Sequence, residues 1–302
     1  MKLVTFEATP GTQQIGILEG EEIAILDGAA NPAFASMLAL IEAGDEGLDA
    51  ARAAQSGAKR IALSEVRLRA PLPLPVQMRD CLTFELHLRQ ARARLMGKEP
   101  DEIELPQIWY DQPIYYKGNR FSVSGPEDEI IWPKGETRLD FELELGAIIG
   151  KGGCDIPASE GVNHIFGFLI FNDFSARDHQ MMESAGGLGP AKGKDFRTAN
   201  AMGPCLVTRD EIGDGSGLTM IARVNGEEWA RGNSSSMHHS FGRIIEHVSR
   251  DEVLHPGEFL GSGTVGGGCG LEIGRFLEPG DVVELEIEGI GVLRNRIAPE
   301  RR

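Results

Sequence analysis

The sequence predicts a β-rich α+β protein, and three observations carry that reading. Lys2 to Phe6, Gln14 to Leu18 and Glu22 to Leu26 are short alternating runs separated by Pro10-Gly11 and Glu19-Gly20, the pattern of a β-meander. Ile165 to Phe171 is a continuous apolar run, as expected of a strand buried on both faces. Cys205 to Thr208, Leu218 to Val224 and Asp281 to Glu288 add further strands, against only a few segments of helical period.

At 302 residues, 41% hydrophobic and 25% charged, the chain is long enough for a large core and ordinary in composition for a globular protein of one or two domains. The formal charge of −16 repels a nucleic-acid backbone or an anionic membrane surface, so neither is an expected partner. An anionic small molecule remains compatible if a metal or fixed cations reverse the local sign. Cys81, Cys154, Cys205 and Cys269 show no C-x-x-C spacing and read as reduced, mostly buried thiols. The start, MKLVTFEATPG, lacks the apolar run of a signal peptide, and no stretch of about 18 apolar residues occurs, so a cytoplasmic protein is expected.

Residues 1–70 read as a small N-terminal β domain, its meander followed by a helical stretch near Asn31 to Ala54. Pro71-Leu72-Pro73-Leu74-Pro75 favours extended backbone and serves as the connector into residues 71–302. Phe84 to Met96 is a good helix former, with Phe84, Leu88 and Leu95 towards one side. Gly97 to Gln112 is polar and irregular, as in a mobile flap that contributes pocket walls. Asn225-Gly226 is a two-residue hairpin signal, and Phe241 to Val248 suggests a helix.

The stretch Asp140-Phe141-Glu142-Leu143-Glu144-Leu145 organises the rest. In a strand, Phe141, Leu143 and Leu145 share one face, while Glu142 and Glu144 stand on the other with Cα atoms roughly 6.5 to 7 Å apart. An isolated E-x-E also fits the wet face of an amphipathic strand. Asp80, and Asp173 at the end of a buried strand, add two more acids. Four oxygen ligands suit Mg²⁺, Mn²⁺ or Ca²⁺ better than zinc. Gly261-Ser262-Gly263-Thr264-Val265-Gly266 fits G-x-G-x-x-G by letter, but no helix pattern follows it, which favours a tight turn close to a ligand over a dinucleotide fingerprint. Lys192 reads as solvated, and Arg177 with Asp178 reads equally well as a structural ion pair.

The segments DFELELGAIIG, NDFSARDHQ, GKDF, SGTVGGG and PGDVVELEIEGIGVLRNRI, in this order, resemble the fumarylacetoacetate hydrolase family over most of residues 71–302. The resemblance implies a catalytic domain of packed mixed sheets, a β-sandwich or β-roll, commonly in a homodimer. It implies Glu142, Glu144 and Asp173 as metal ligands, with Asp80 as the fourth acid of the fumarylacetoacetase-like branch, seven residues before His87. It further implies His87 as general base and Glu272 as its orienting carboxylate, with Glu99, Glu102, Glu104 and Asp111 as competitors for the second role. Arg177, Gln180 and Lys194 match the group around a developing oxyanion, and Tyr116 and Thr264 match substrate contacts. Two positions depart: Ser184 stands where the family has a tyrosine, and the substrate arginine finds only Arg92 or Arg94. The other histidines, His164, His179, His238, His239, His247 and His255, have no motif support.

The expected function is a Mg²⁺- or Mn²⁺-dependent hydrolase that cleaves a carbon–carbon bond in a β-diketo or acylpyruvate-like acid. Decarboxylation, hydration or isomerisation of a 2-oxo acid at the same site is the second class, and a metal-binding protein without turnover the third.

Overall fold

The computed structural model describes residues 1–301. Its frame is a twelve-stranded mixed sheet that runs through both halves of the chain, with a five-stranded sheet against it. The meander forms as expected over Lys2–Thr9, Thr12–Glu19 and Glu22–Leu26. Lys2 and Leu3 pair with Val207 and Leu206, so these strands extend the sheet of the second half rather than closing on themselves.

At the centre, Leu143–Ile149, Ile165–Asp173 and Asn200–Thr208 lie antiparallel. Every residue of Ile165–Asp173 is buried, and its two faces feed different cores. Phe168 and Ile170 join Leu143, Leu145 and residues of the second sheet such as Ala222, Leu285 and Leu293. Leu169 and Phe171 join Leu40, Ile41, Leu48 and Ala51 of the N-terminal helices Met37–Glu42 and Gly44–Gln55. The result is three layers, helices on sheet on sheet, and each large apolar side chain so buried contributes about 1.5–3 kcal/mol. Glycine is required where strands crowd: a Cβ on Gly167 would lie 2.3 Å from the Val207 carbonyl oxygen.

Beyond Leu143–Ile149, the strand Phe259–Gly261 pairs antiparallel to it and parallel to Met78–Cys81, which pairs in turn with Tyr115–Lys117. This order brings Asp80 beside both Gly261 and Tyr116. The expected helix spans Glu85–Met96 and ends on Gly97 in the left-handed conformation. Asn225 and Gly226 both take positive φ, 52° and 81°, as the hairpin turn demands. Phe241–Val248 is helical as expected, and no helix among the described residues is long and apolar enough to cross a membrane.

Two expectations need correction. The E-x-E segment is not one unbroken strand with a wet face: regular pairing covers Leu139–Asp140 and Leu143–Ile149, Glu142 makes a single bridge to Cys269, and both glutamates are buried. The Gly97 to Gln112 stretch is not a patternless flap. Ile103, Leu105 and Trp109 pack on Leu88 and Ala93, and the Trp109 indole N–H donates to the Leu82 carbonyl at 2.6 Å. Sparse apolar residues at irregular spacing concealed that small core.

Candidate metal centre and active site

Period-2 alternation puts Asp140, Glu142 and Glu144 on one side of their segment, and the sheet closes over that side. Glu144 accepts from the Gly263 backbone N–H at 3.0 Å and the Thr264 hydroxyl at 3.3 Å. The glycine-rich turn therefore wraps a carboxylate. Gly261 makes the approach possible: a Cβ there would lie 2.2 Å from Asp80 Oδ1 and 3.1 Å from Glu144 Oε2.

One oxygen each from Asp80, Glu144 and Asp173 lies within 4.8 Å of the others, and all three residues are buried. Asp80 Oδ1 and Asp173 Oδ1 have no hydrogen-bond partner. Buried carboxylate oxygens left without donors are costly unless something positive meets them. Burial first, and the Asp173 charge second, push the Asp80 carboxyl up to about 8. Burial and the neighbouring Asp80 raise Glu144 well above the carboxylate range, and burial also raises Asp173 against the pull of Lys194. Three oxygen donors on rigid strands, two orphaned atoms and a cradle that one Cβ would fill suit a hard divalent cation.

Glu142 stands slightly apart. Lys194 bridges it to Asp173, its ammonium 2.7 Å from Glu142 Oε2 and 2.5 Å from Asp173 Oδ2. Burial opposes ionisation, but the Lys194 and Arg177 charges overcome it and hold the Glu142 carboxyl well below its usual range. The same carboxylates hold the buried Lys194 charged, above an ordinary lysine. The Tyr116 hydroxyl donates to Asp173 Oδ2 at 2.7 Å.

Arg177 is not paired with Asp178. Its Nε and Nη2 donate to Asp140 Oδ2 at 2.9 and 2.7 Å, and its Nη1 lies 2.7 Å from Glu142 Oε1 and donates to Gln180 Oε1 at 2.9 Å. Its donors are spent on these neighbours, and the Gln180 amide oxygen is turned to Arg177. Asp178 pairs with Arg138. Asp140, which the sequence reading left without a role, also accepts from the Gly270 and Leu271 backbone N–H groups at 2.7 and 2.9 Å. It thereby ties the E-x-E segment to the short helix Gly270–Ile273 that carries Glu272. Its place in the same alternation as the two glutamates was the available signal.

His87 Nδ1 lies 2.7 Å from Glu272 Oε1, while Glu272 Oε2 accepts from the Gly267 N–H at 2.6 Å. A carboxylate can only accept here, so the neutral imidazole of His87 carries its proton on Nδ1 and keeps the lone pair on Nε2. The buried Cys269 thiol donates to the same Glu272 oxygen at 3.3 Å, a contact no spacing rule revealed. The competitors lie elsewhere: Glu99 and Glu102 cap each other, Glu104 is exposed, and Asp111 accepts from Gln107. Cys81, Cys205 and Cys269 are buried and Cys154 is exposed, all as free thiols.

A cavity of about 550 Å³ opens over these groups, lined by Asp80, His87, Tyr116, Glu142, Glu144, Asp173, Arg177, Gln180, Lys194 and Thr264. Ser184 also lines it, but Arg92 does not: Ala91 and Leu95 of the same helix face the space instead. No residue of the Gly97 to Gln112 stretch reaches the wall, and none of the six other histidines does.

The model for "Fumarylacetoacetate (FAA) hydrolase C-terminal" matches residues 79–298, and that for "Rv2993c-like, N-terminal" matches residues 1–71. The chain is 32% identical over 297 residues to the oxaloacetate tautomerase YisK of Bacillus subtilis, covering 93% of this chain and 94% of that protein. It is 31% identical over 304 residues to the mitochondrial oxaloacetate tautomerase FAHD2A of Bos taurus, covering 98% and 91%. The solved fumarylacetoacetate hydrolase of Exiguobacterium antarcticum superposes with a TM-score of 0.78 at 28% identity, over 99% of this chain and 100% of that one. With the acid cluster and the fold already in place, the match over residues 79–298 makes the chain a member of the fumarylacetoacetate hydrolase family.

Proposed function

We propose that the protein is a Mg²⁺- or Mn²⁺-dependent hydrolase that splits the C3–C4 bond of a 2,4-dioxo acid, a small anionic substrate of the acylpyruvate kind. The observation that carries the reading is His87 on the wall of the cavity that also holds the three carboxylates, with Glu272 behind it at 2.7 Å. Asp80, Glu144 and Asp173, with Glu142 beside them, would hold the ion. When bound, it supplies Lewis-acid polarisation of the substrate's carboxylate and 2-oxo oxygens.

The chain's own groups do the rest. Glu272 fixes the imidazole, and His87 Nε2 takes a proton from water, which attacks the C4 carbonyl. The Gln180 amide would donate to the resulting oxyanion, and Lys194 would join it once a bound ion draws Asp173 away from the ammonium. The C3–C4 bond then breaks with its electron pair passing to C3, and the proton on His87 completes the methyl group. One water is consumed, and pyruvate, a carboxylate and a proton are released. The Tyr116 hydroxyl donates to Asp173 and the Thr264 hydroxyl to Glu144, which supports a substrate-contacting part for both.

A second reading, keto–enol interconversion of a 2-oxo acid, is favoured by the likeness to the oxaloacetate tautomerases. Incubation of 2,4-dioxopentanoate with protein and Mg²⁺ or Mn²⁺ tests the first reading: equimolar pyruvate and acetate are expected, and none with chelator. Accelerated enol-to-keto conversion of oxaloacetate without cleavage of any 2,4-dioxo acid would replace it with the second.

A further inference from the structure

The polar machinery occupies one end of the cavity, and the other end is apolar. His87, Ala91 and Leu95 stand at i, i+4 and i+8 of the Glu85–Met96 helix, so one stripe runs from the base outward for about 12 Å. Ala91 and Leu95, with Ile114, Met181 and Pro190, supply apolar lining to the same cavity. Leu95 is 54% exposed and Ile114 is 37% exposed, an apolar surface continuous with the reacting groups. The basic groups on the wall are all committed at the inner end: Arg177 to Asp140 and Glu142, Lys194 to Glu142 and Asp173, His87 to Glu272. Ser184 is neutral, and Arg92 is off the wall. A second carboxylate at the far end would give up part of its hydration against apolar side chains and meet no cation in return.

We propose that the site selects a 2-oxo acid whose far end is an uncharged alkyl or aryl chain, and disfavours one that ends in a carboxylate. The inference rests on the oxo-acid reading above, but not on hydrolysis. Its test is therefore binding of acids with no cleavable C3–C4 bond of the dioxo kind. Mg²⁺-loaded protein is titrated calorimetrically with straight-chain 2-oxo acids from pyruvate to 2-oxooctanoate, and with 2-oxoglutarate and 2-oxoadipate. The dissociation constant is expected to fall up to about fourfold per buried methylene until the stripe is covered. The dicarboxylates should bind more weakly than the monocarboxylates of equal length. Leu95→Asp should flatten the gain with chain length, and Leu95→Arg should shift preference towards the dicarboxylates. A constant affinity along the series, or tighter binding of the dicarboxylates by wild type, overturns the proposal while leaving the oxo-acid site standing. Absence of binding by every member overturns both.

Discussion

Gly261→Ala puts the account of the metal centre under direct strain. The added methyl would sit 2.2 Å from Asp80 Oδ1 and 3.1 Å from Glu144 Oε2. An ordinary carbon–oxygen contact begins near ~3.3 Å, so the Asp80 carboxylate must retreat by roughly 1 Å. Metal–ligand distances tolerate about 0.2 Å, which means that Asp80 would leave coordination or drag its strand with it. Disturbing a metal site's supporting contacts typically costs 10- to 100-fold in affinity, and displacement of a ligand should cost at least that, about 1.4–2.7 kcal/mol. Gly261 has no positive φ, so the backbone itself accepts alanine and the protein should still fold. Calorimetric titration with Mn²⁺ on wild type and variant reads the loss, and far-ultraviolet circular dichroism checks the fold. A folded variant that binds Mn²⁺ within twofold of wild type would refute the placement of the ion between Asp80 and Glu144.

Three further outcomes follow from the same geometry. His87→Ala should lower cleavage of a 2,4-dioxo acid about 10²- to 10⁴-fold, the usual worth of a positioned base, with Mn²⁺ affinity little changed; steady-state pyruvate release measures it. Asp140→Asn removes one of the two charges that face Arg177, and with Glu142 still in place it should destabilise the fold by less than the ~3–5 kcal/mol of a wholly unpaired buried charge. The double variant with Arg177→Met should cost clearly less than the sum of the two single changes, as read by urea unfolding. Finally, the Asp80, Glu144 and Asp173 carboxyls are raised by burial, Asp80 to about 8. Between the ordinary carboxylate range and that value the folded chain holds protons that the unfolded chain has released. Stability without metal should therefore fall as pH rises from about 5 to 8, and excess Mg²⁺ should restore it with release of protons. Melting temperatures across that range, with and without Mg²⁺, show it.

Much of the scaffold was legible because its signals are local. The Ile165–Asp173 run is apolar on both faces, and its two faces do enter different cores. Phe241–Val248 and the Asn225-Gly226 turn depend on neighbours a few residues away. The joining of Leu3 to Leu206 is a pairing at long range, and no periodicity announces it. At the site, residue types and motif order pointed to the acids and to the His87–Glu272 pair, whereas the partner of Arg177 did not follow. Arg177 stands next to Asp178 in sequence yet reaches Asp140, because the helix turns its side chain inward while Asp178 faces Arg138. Arg92 failed for a related reason: the stripe that follows His87 passes through Ala91 and Leu95.

The most direct test of the central claim is anomalous diffraction from crystals grown with Mn²⁺. One strong peak per chain is expected, about 2.0–2.3 Å from carboxylate oxygens of Asp80, Glu144 and Asp173, with Lys194 drawn off Asp173 to admit it. A fully occupied peak elsewhere, with those three carboxylates still unliganded, would contradict the account.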